Sequence, residues 1–214
     1  MPPKENGKKS LNKTKKFIYL ISPTKILSLD FYNNLEKLFK TKKILFFQLR
    51  LKKENKQKII KIAKKIKKLT KKYNIKFIIN DDPNLAIKIN ADGCHIGQKD
   101  FNIKQARKKL KNKILGITCH NSLKLAKIAI DNKADYLAFG SFYQSKTKKA
   151  KYKANIKILH SVKKITNIPI VAIGGINSKN YKKLLLNKAN FLAISGYIWK
   201  NNKYKPIDAI KKLK

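Results

Sequence analysis

From residue 17 onward the sequence alternates eight times between a short apolar run rich in β-branched and aromatic residues and a lysine-rich segment of helical period. This alternation constrains the fold more than any other feature, because strands separated by helix-length segments pair in parallel and need helices to cover them. The strand candidates are 17–22, 44–50, 76–80, 93–97, 114–118, 136–140, 168–174 and 191–195. Helix candidates fall at 31–40, 55–73, 83–90, 103–110, 122–132, 156–166, 178–187 and 206–213. Ile59, Ile62, Ile66 and Leu69 mark the buried face of one, and Leu125, Ile128 and Ala129 that of another. Eight strand–helix units in about 200 residues predict an α/β protein of the (β/α)8 TIM-barrel class, a single domain over 17–214, rather than an open doubly wound sheet. Residues 1–16 carry six lysines, a Pro-Pro and a glycine but no aromatic residue, which predicts a mobile basic tail.

The formal charge of +42 invites a nucleic-acid reading. Against it, only Arg50 and Arg107 among the 53 basic residues are arginines, whereas reading phosphates and base edges exploits the forked guanidinium. The lysines are spread along nearly the whole chain beside abundant Ile, Asn, Phe and Tyr, all residues with AT-rich codons, so compositional bias accounts for them. No specific nucleic-acid partner is expected. No apolar run approaches the roughly 20 residues that cross a bilayer, and the first ten residues have no apolar core. The expectation is a cytoplasmic protein with no membrane partner, and a homo-oligomer is compatible with it. Cys94 and Cys119 have no metal-ligand spacing and read as packing residues.

In such a barrel the site is built at the C-terminal strand ends. There the sequence places Gln48-Leu49-Arg50-Leu51-Lys52, Asn80-Asp81-Asp82, Gly97 to Asp100, Thr118-Cys119-His120, Gly140 to Lys148, Gly174-Gly175 and Ser195-Gly196. Four of the eleven acidic residues, Asp81, Asp82, Asp92 and Asp100, fall within twenty positions. Two carboxylates from adjacent strand ends suit a Mg²⁺ whose other ligands are water and substrate phosphate, and Asp81 and Asp100 are the expected pair. Asp82 before Pro83 reads as a helix cap, and Asp92 as a turn residue. Arg50 is an arginine in a chain that uses lysine almost everywhere; its planar fork suits a diphosphate, with Lys52 projecting to the same side. The glycines after the seventh and eighth strands expose backbone N–H groups of the kind that hold phosphate.

The stretches Q-L-R-L-K (48–52), I-I-N-D (78–81), A-D-G-C-H-I-G-Q-K-D (91–100), S-K-T-K (145–148) and I-P-I-V-A-I-G-G-I (168–176) resemble the thiamine-phosphate synthase family in order and spacing. The resemblance implies a transferase that joins a pyrimidine diphosphate to a thiazole phosphate, or its carboxylate form, giving thiamine phosphate and pyrophosphate. By the same resemblance Gln48, Leu49, Arg50, Leu51, Lys52, Asn80, Thr118 and Lys148 take the pyrimidine diphosphate. Ser145, Lys146, Thr147, Gly175, Ser195 and Gly196 take the thiazole phosphate, Asp81 and Asp100 hold Mg²⁺, and Arg50, Lys52 and Lys148 are catalytic. The chain departs from the usual family pattern with Thr118 for serine, Ser141 for proline, Ser145 for threonine and Gly196 for serine.

The implied chemistry needs no protein nucleophile. A diphosphate neutralised by Arg50, Lys52, Lys148 and Mg²⁺ is a stabilised leaving group, and the aminopyrimidine delocalises the methylene cation that the thiazole nitrogen attacks. The nearest alternative is a related thiazole tautomerase using His120 as acid and base. A second is a basic RNA-associated protein, for which no binding motif is present. His95 reads as a satisfied strand histidine and His160 as a structural one.

Overall fold

Each apolar run forms one strand, and the strands close on one another. The computed structural model describes residues 16–26, 28–144 and 151–214. Its elements are β1 (Ile18–Ile21), α1 (Leu29–Lys40), β2 (Ile44–Leu49), α2 (Lys56–Lys72), β3 (Lys76–Asn80), α3 (Pro83–Lys88), β4 (Gly93–Ile96) and α4 (Ile103–Leu110). They continue with β5 (Ile114–His120), α5 (Leu123–Asp131), β6 (Tyr136–Gly140), α6 (Lys157–Lys163), β7 (Ile170–Ile173), α7 (Tyr181–Leu186), β8 (Phe191–Ile194), α8 (Gly196–Trp199) and α9 (Pro206–Lys211). The eight strands form a closed parallel barrel in chain order, so the TIM-barrel expectation holds. All eight strand candidates and eight helix candidates are present, most with trimmed ends; the four-residue α8 was not anticipated. The tail expected over 1–16 lies, apart from Lys16, outside the described residues.

Period-two alternation sorts the strand side chains into two cores. One set, including Phe47, Leu49, Phe77, Ile79, Cys94, Leu115 and Leu137, packs against the helices. The other set, Tyr19, Ile21, Phe46, Ile78, Tyr136, Ala138, Val171 and Ala193, fills the barrel interior. Helix starts are fixed locally: the side chains of Asn55, Asp82, Asn102 and Ser122 accept N–H bonds from Lys58, Leu85, Gln105 and Leu125, and Pro83 opens α3. The capping role expected of Asp82 is therefore present.

A device at the floor of the barrel recurs at alternate strand pairs. Before β4, Asp92 donates its N–H to Phe77 O at 2.9 Å and accepts Phe77 N–H on its carboxylate at 2.8 Å. Before β6, Asp135 does the same with Leu115, at 2.8 and 2.7 Å. Before β8, Asn190 does so with Ile170, at 2.9 and 2.8 Å. The turn role expected of Asp92 is thus one case of three. Asp135 is further tied to Arg107, 2.6 Å away, whose guanidinium also donates to Lys111 O and Lys113 O. Asp135→Ala would leave the buried Leu115 N–H and Arg107 short of partners. We expect a loss of about 2 kcal/mol, read by urea denaturation, with the midpoint lowered and the slope unchanged.

Candidate active site

The barrel mouth collects the polar residues because strand parity carries them inward. Gln48, Asn80, His95 and Thr118 occupy the same inward series as the interior core, and the register sets Asn80 beside His95. Arg50 and Lys52 continue that parity past the end of β2. Leu49 and Leu51 belong to the helix-facing core, so their side chains face away from the mouth and only their backbone is available to a substrate there.

At the rim, Asp81 and Asp100 converge on one ammonium. Lys52 Nζ lies 2.8 Å from Asp81 Oδ2 and 3.8 Å from Asp100 Oδ1, and Gly97 N–H donates to Asp100 Oδ2 at 2.9 Å. Asp81 adopts a left-handed φ of 64°, uncommon for a residue with a side chain, and its N–H donates to His95 O at 2.8 Å. Burial, together with the neighbouring Asp100, raises the Asp81 pKa despite Lys52. Burial also acts to raise Asp100, but the hydrogen bond with Asp81, the Lys52 charge and the Gly97 N–H outweigh it, and its pKa falls. Both groups are hard oxygen donors. No cluster of three or more His, Cys, Asp or Glu residues suited to a metal occurs among the described residues, so a cation here would take two protein carboxylates and complete its shell elsewhere. Among the described residues Arg50 forms no ion pair, while its backbone N–H donates to Ser22 Oγ at 2.9 Å.

Beneath the rim a row of polar groups crosses the barrel. Gln48 Nε2 donates to Tyr19 OH at 3.2 Å, and the Tyr19 and Tyr136 hydroxyls share a bond of 2.8 Å. His95 Nδ1 lies 3.0 Å from Tyr136 OH, and His95 Nε2 lies 2.8 Å from Thr118 Oγ1. The expectation of a satisfied His95 is met on both ring nitrogens. Burial, with the Arg50 charge and against that of Asp100, pushes the His95 pKa down to about 4. Because the unfolded chain binds that proton first, the neutral imidazole's contribution to stability is complete above about pH 6.5 and is lost as the pH falls towards 4. Tyr19 and Tyr136 carry this row, and sequence reasoning missed both. Their signal was a tyrosine at an inward strand position, where a buried hydroxyl needs a partner.

On the opposite side of the mouth, Gly174 and Gly175 have φ of 106° and 61°. A Cβ on Gly175 would lie 2.3 Å from Gln144 O, so only glycine lets residues 142–144 run this close to the end of β7. Ser195 Oγ donates to Ser22 O at 3.1 Å, and Gly196 opens α8. Ser145, Lys146, Thr147 and Lys148 lie outside the described residues. His120 is displaced from the inward series by a register shift between Thr118 and His120, and its ring stacks on Tyr152 with centroids 4.0 Å apart. His160 lies on α6, hydrogen-bonded to Asn187.

Residues 18–198 match the family model described as thiamine monophosphate synthase. The chain belongs to this family. A thiamine-phosphate synthase of Pelagibacter ubique is 65% identical over 200 residues, covering 94% of this chain and 97% of the relative. One of Nitrosomonas eutropha is 42% identical over 153 residues, covering 71% and 72%. Among solved structures, a thiamine phosphate pyrophosphorylase from Pyrococcus furiosus superposes with a TM-score of 0.81 at 24% identity, covering 94% of this chain and 95% of that one, which bears on the fold. The synthase-family match spans all eight strands and the rim carboxylates, so the site described above lies within the shared region.

Proposed function

We propose that the chain is a cytoplasmic thiamine-phosphate synthase, joining a pyrimidine diphosphate to a thiazole phosphate with release of pyrophosphate. The observation that carries this reading is the rim arrangement: Asp81 and Asp100 share the Lys52 ammonium beside an Arg50 that forms no ion pair among the described residues. Two carboxylates and a lysine alone would also suit a structural ion pair. Family membership, together with a guanidinium that forms no ion pair among the described residues, favours a diphosphate site.

Asp81 and Asp100 would hold Mg²⁺, and the ion would supply positive charge against the departing diphosphate. Arg50 offers two parallel N–H donors to non-bridging oxygens, and Lys52 offers a third cationic donor from the same strand end. Gln48 and Asn80 share the inward parity of the same mouth and are proposed to hydrogen-bond the polar edge of the pyrimidine ring. As the bond from the methylene carbon to the diphosphate oxygen breaks, the electron pair leaves with the diphosphate, and the pyrimidine amino group delocalises the cation left on carbon. The thiazole nitrogen then donates its lone pair to that carbon. Lys148 and the remaining residues of 145–148 are proposed to hold the diphosphate and the thiazole phosphate. Gly175, Ser195 and Gly196 are proposed for the phosphate on the far side of the mouth. The tautomerase alternative would centre on His120, which lies outside the inward series and against Tyr152.

The test is to mix the protein with pyrimidine diphosphate, thiazole phosphate and Mg²⁺ and measure thiamine phosphate and pyrophosphate together. Equal amounts of both products are expected, and neither appearing would overturn the reading. In the same assay Arg50→Lys keeps the charge but loses the fork. We expect kcat/KM to fall roughly a hundred-fold with an unchanged melting temperature. Unaltered kinetics would remove Arg50 from the diphosphate site.

A further inference from the structure

The polar row across the barrel runs from Gln48 to Thr118, and its first bond has a fixed sense. Gln48 Nε2 can only donate, and it donates to Tyr19 OH, which is therefore an acceptor there. The Tyr19 proton is then available for Tyr136 OH, 2.8 Å away, and the Tyr136 proton for His95 Nδ1, 3.0 Å away. With Nδ1 accepting, a neutral imidazole carries its proton on Nε2, which faces Thr118 Oγ1 at 2.8 Å. In that arrangement the threonine hydroxyl accepts from His95, and its own proton points elsewhere.

We infer that Tyr19, Tyr136 and His95 form a one-way hydrogen-bond chain that fixes His95 as its Nε2–H tautomer and leaves the Thr118 hydroxyl proton free to donate to an anionic oxygen at the barrel mouth. The three are positioning residues, and Thr118 is the group that touches the ligand. The packing holds the chain in place. Tyr19 and Tyr136 are each 2% exposed, the Tyr136 and His95 rings stack at 11° with centroids 5.6 Å apart, and threonine's branched Cβ restricts the rotation of its hydroxyl arm. Ionised phosphate oxygens only accept hydrogen bonds, so a hydroxyl serving them must arrive as a donor. The opposite polarity would turn the Thr118 proton towards His95 and present only lone pairs to an anion. The ligand part of this inference rests on the synthase reading; the tautomer part does not.

The experiment has two arms. Nitrogen-15 NMR on the full substrate-free chain, with His95→Gln assigning the signal among the three histidines, should show Nε2 protonated and Nδ1 bare at neutral pH. A protonated Nδ1 overturns the inference whether or not the protein has synthase activity. In the second arm, Tyr136→Phe keeps the ring and removes the donor to Nδ1. It should lower kcat roughly tenfold while leaving KM for the pyrimidine diphosphate nearly unchanged, because the free hydroxyl matters most as the leaving oxygen gains charge. Tyr136→Phe should add little in a Thr118→Val background. A full tenfold loss in that background would show that Tyr136 acts independently of Thr118 and would sink the coupling. A wild type inactive in synthesis would defeat the synthase reading, and with it the ligand part, while the NMR arm still decides the tautomer.

Discussion

Asp81→Asn is expected to lower kcat of thiamine phosphate formation by roughly a hundred-fold or more while leaving the fold intact. The substitution is isosteric, and asparagine tolerates the left-handed backbone at this position, where φ is 64°, better than most residues do. The ion pair it removes joins a Lys52 side chain that is 47% exposed, so the stability change should stay below about 1 kcal/mol. What is lost is one of two anionic oxygen donors for the cation proposed to neutralise the leaving diphosphate. The effect should fall on kcat as well as KM, because the charge being stabilised grows as the carbon–oxygen bond breaks. Asp100→Asn should behave similarly, since an amide oxygen can still accept the Gly97 N–H. His120→Ala should cost far less, as no proton leaves the thiazole carbon skeleton when its nitrogen attacks directly. Steady-state kinetics with and without EDTA decide the matter. Thiamine phosphate formation that persists in EDTA and collapses only in the His120 variant would remove the metal from the reaction and put an acid–base step at His120 in its place.

The architecture was legible because it depends on short-range regularities. Runs such as 17–22 and 168–174 announce buried parallel strands by composition alone, and the ends of those runs give the rim once the barrel is inferred. Asp81 and Asp100 come from successive strand–helix connections, so closure of the sheet brings them together without any long-range guess. The polar row was not legible for the opposite reason. Tyr19 and Tyr136 are 117 positions apart, and nothing local to either says that their hydroxyls meet. The floor device hid for a similar cause: Asp92, Asp135 and Asn190 each follow an alanine, but so short a pattern carries no meaning until the strands pair. Local irregularities escaped too. The register shift that turns His120 off the inward series breaks the alternation from which its position would be read, and α8 is too short to show a period. Within the motif stretch 48–52, parity gives the mouth the side chains of Gln48, Arg50 and Lys52 and the backbone of Leu49 and Leu51.

Gly116→Ala is expected to damage stability and catalysis together, because the barrel spends this position on another residue's ring. Gly116 faces inward on β5 beside Tyr136, and a Cβ there would lie 1.9 Å from Tyr136 Cζ and 2.2 Å from its hydroxyl oxygen. Tyr136 has little room to yield, being 2% exposed and packed against Tyr19 and Phe46 at centroid distances of 5.6 and 5.8 Å. The collision therefore displaces the hydroxyl that links Tyr19 to His95, and the added methyl brings overpacking of about 1–3 kcal/mol. At roughly 2–4 °C per kcal/mol for a domain of this size, the melting temperature should fall by about 2–12 °C. The Gly116→Ala, Tyr136→Phe double variant would not remove the clash, since the ring stays. Pairing Gly116→Ala with Tyr136→Leu should recover much of the stability by emptying the space the methyl needs, yet it should leave synthesis impaired, because no hydroxyl then reaches His95. Thermal melts and kinetics of the two single variants and the Gly116→Ala, Tyr136→Leu pair separate the packing role of Gly116 from the hydrogen bonding that Tyr136 provides. Full activity in that pair would show that the buried row is structural and has no part in the reaction.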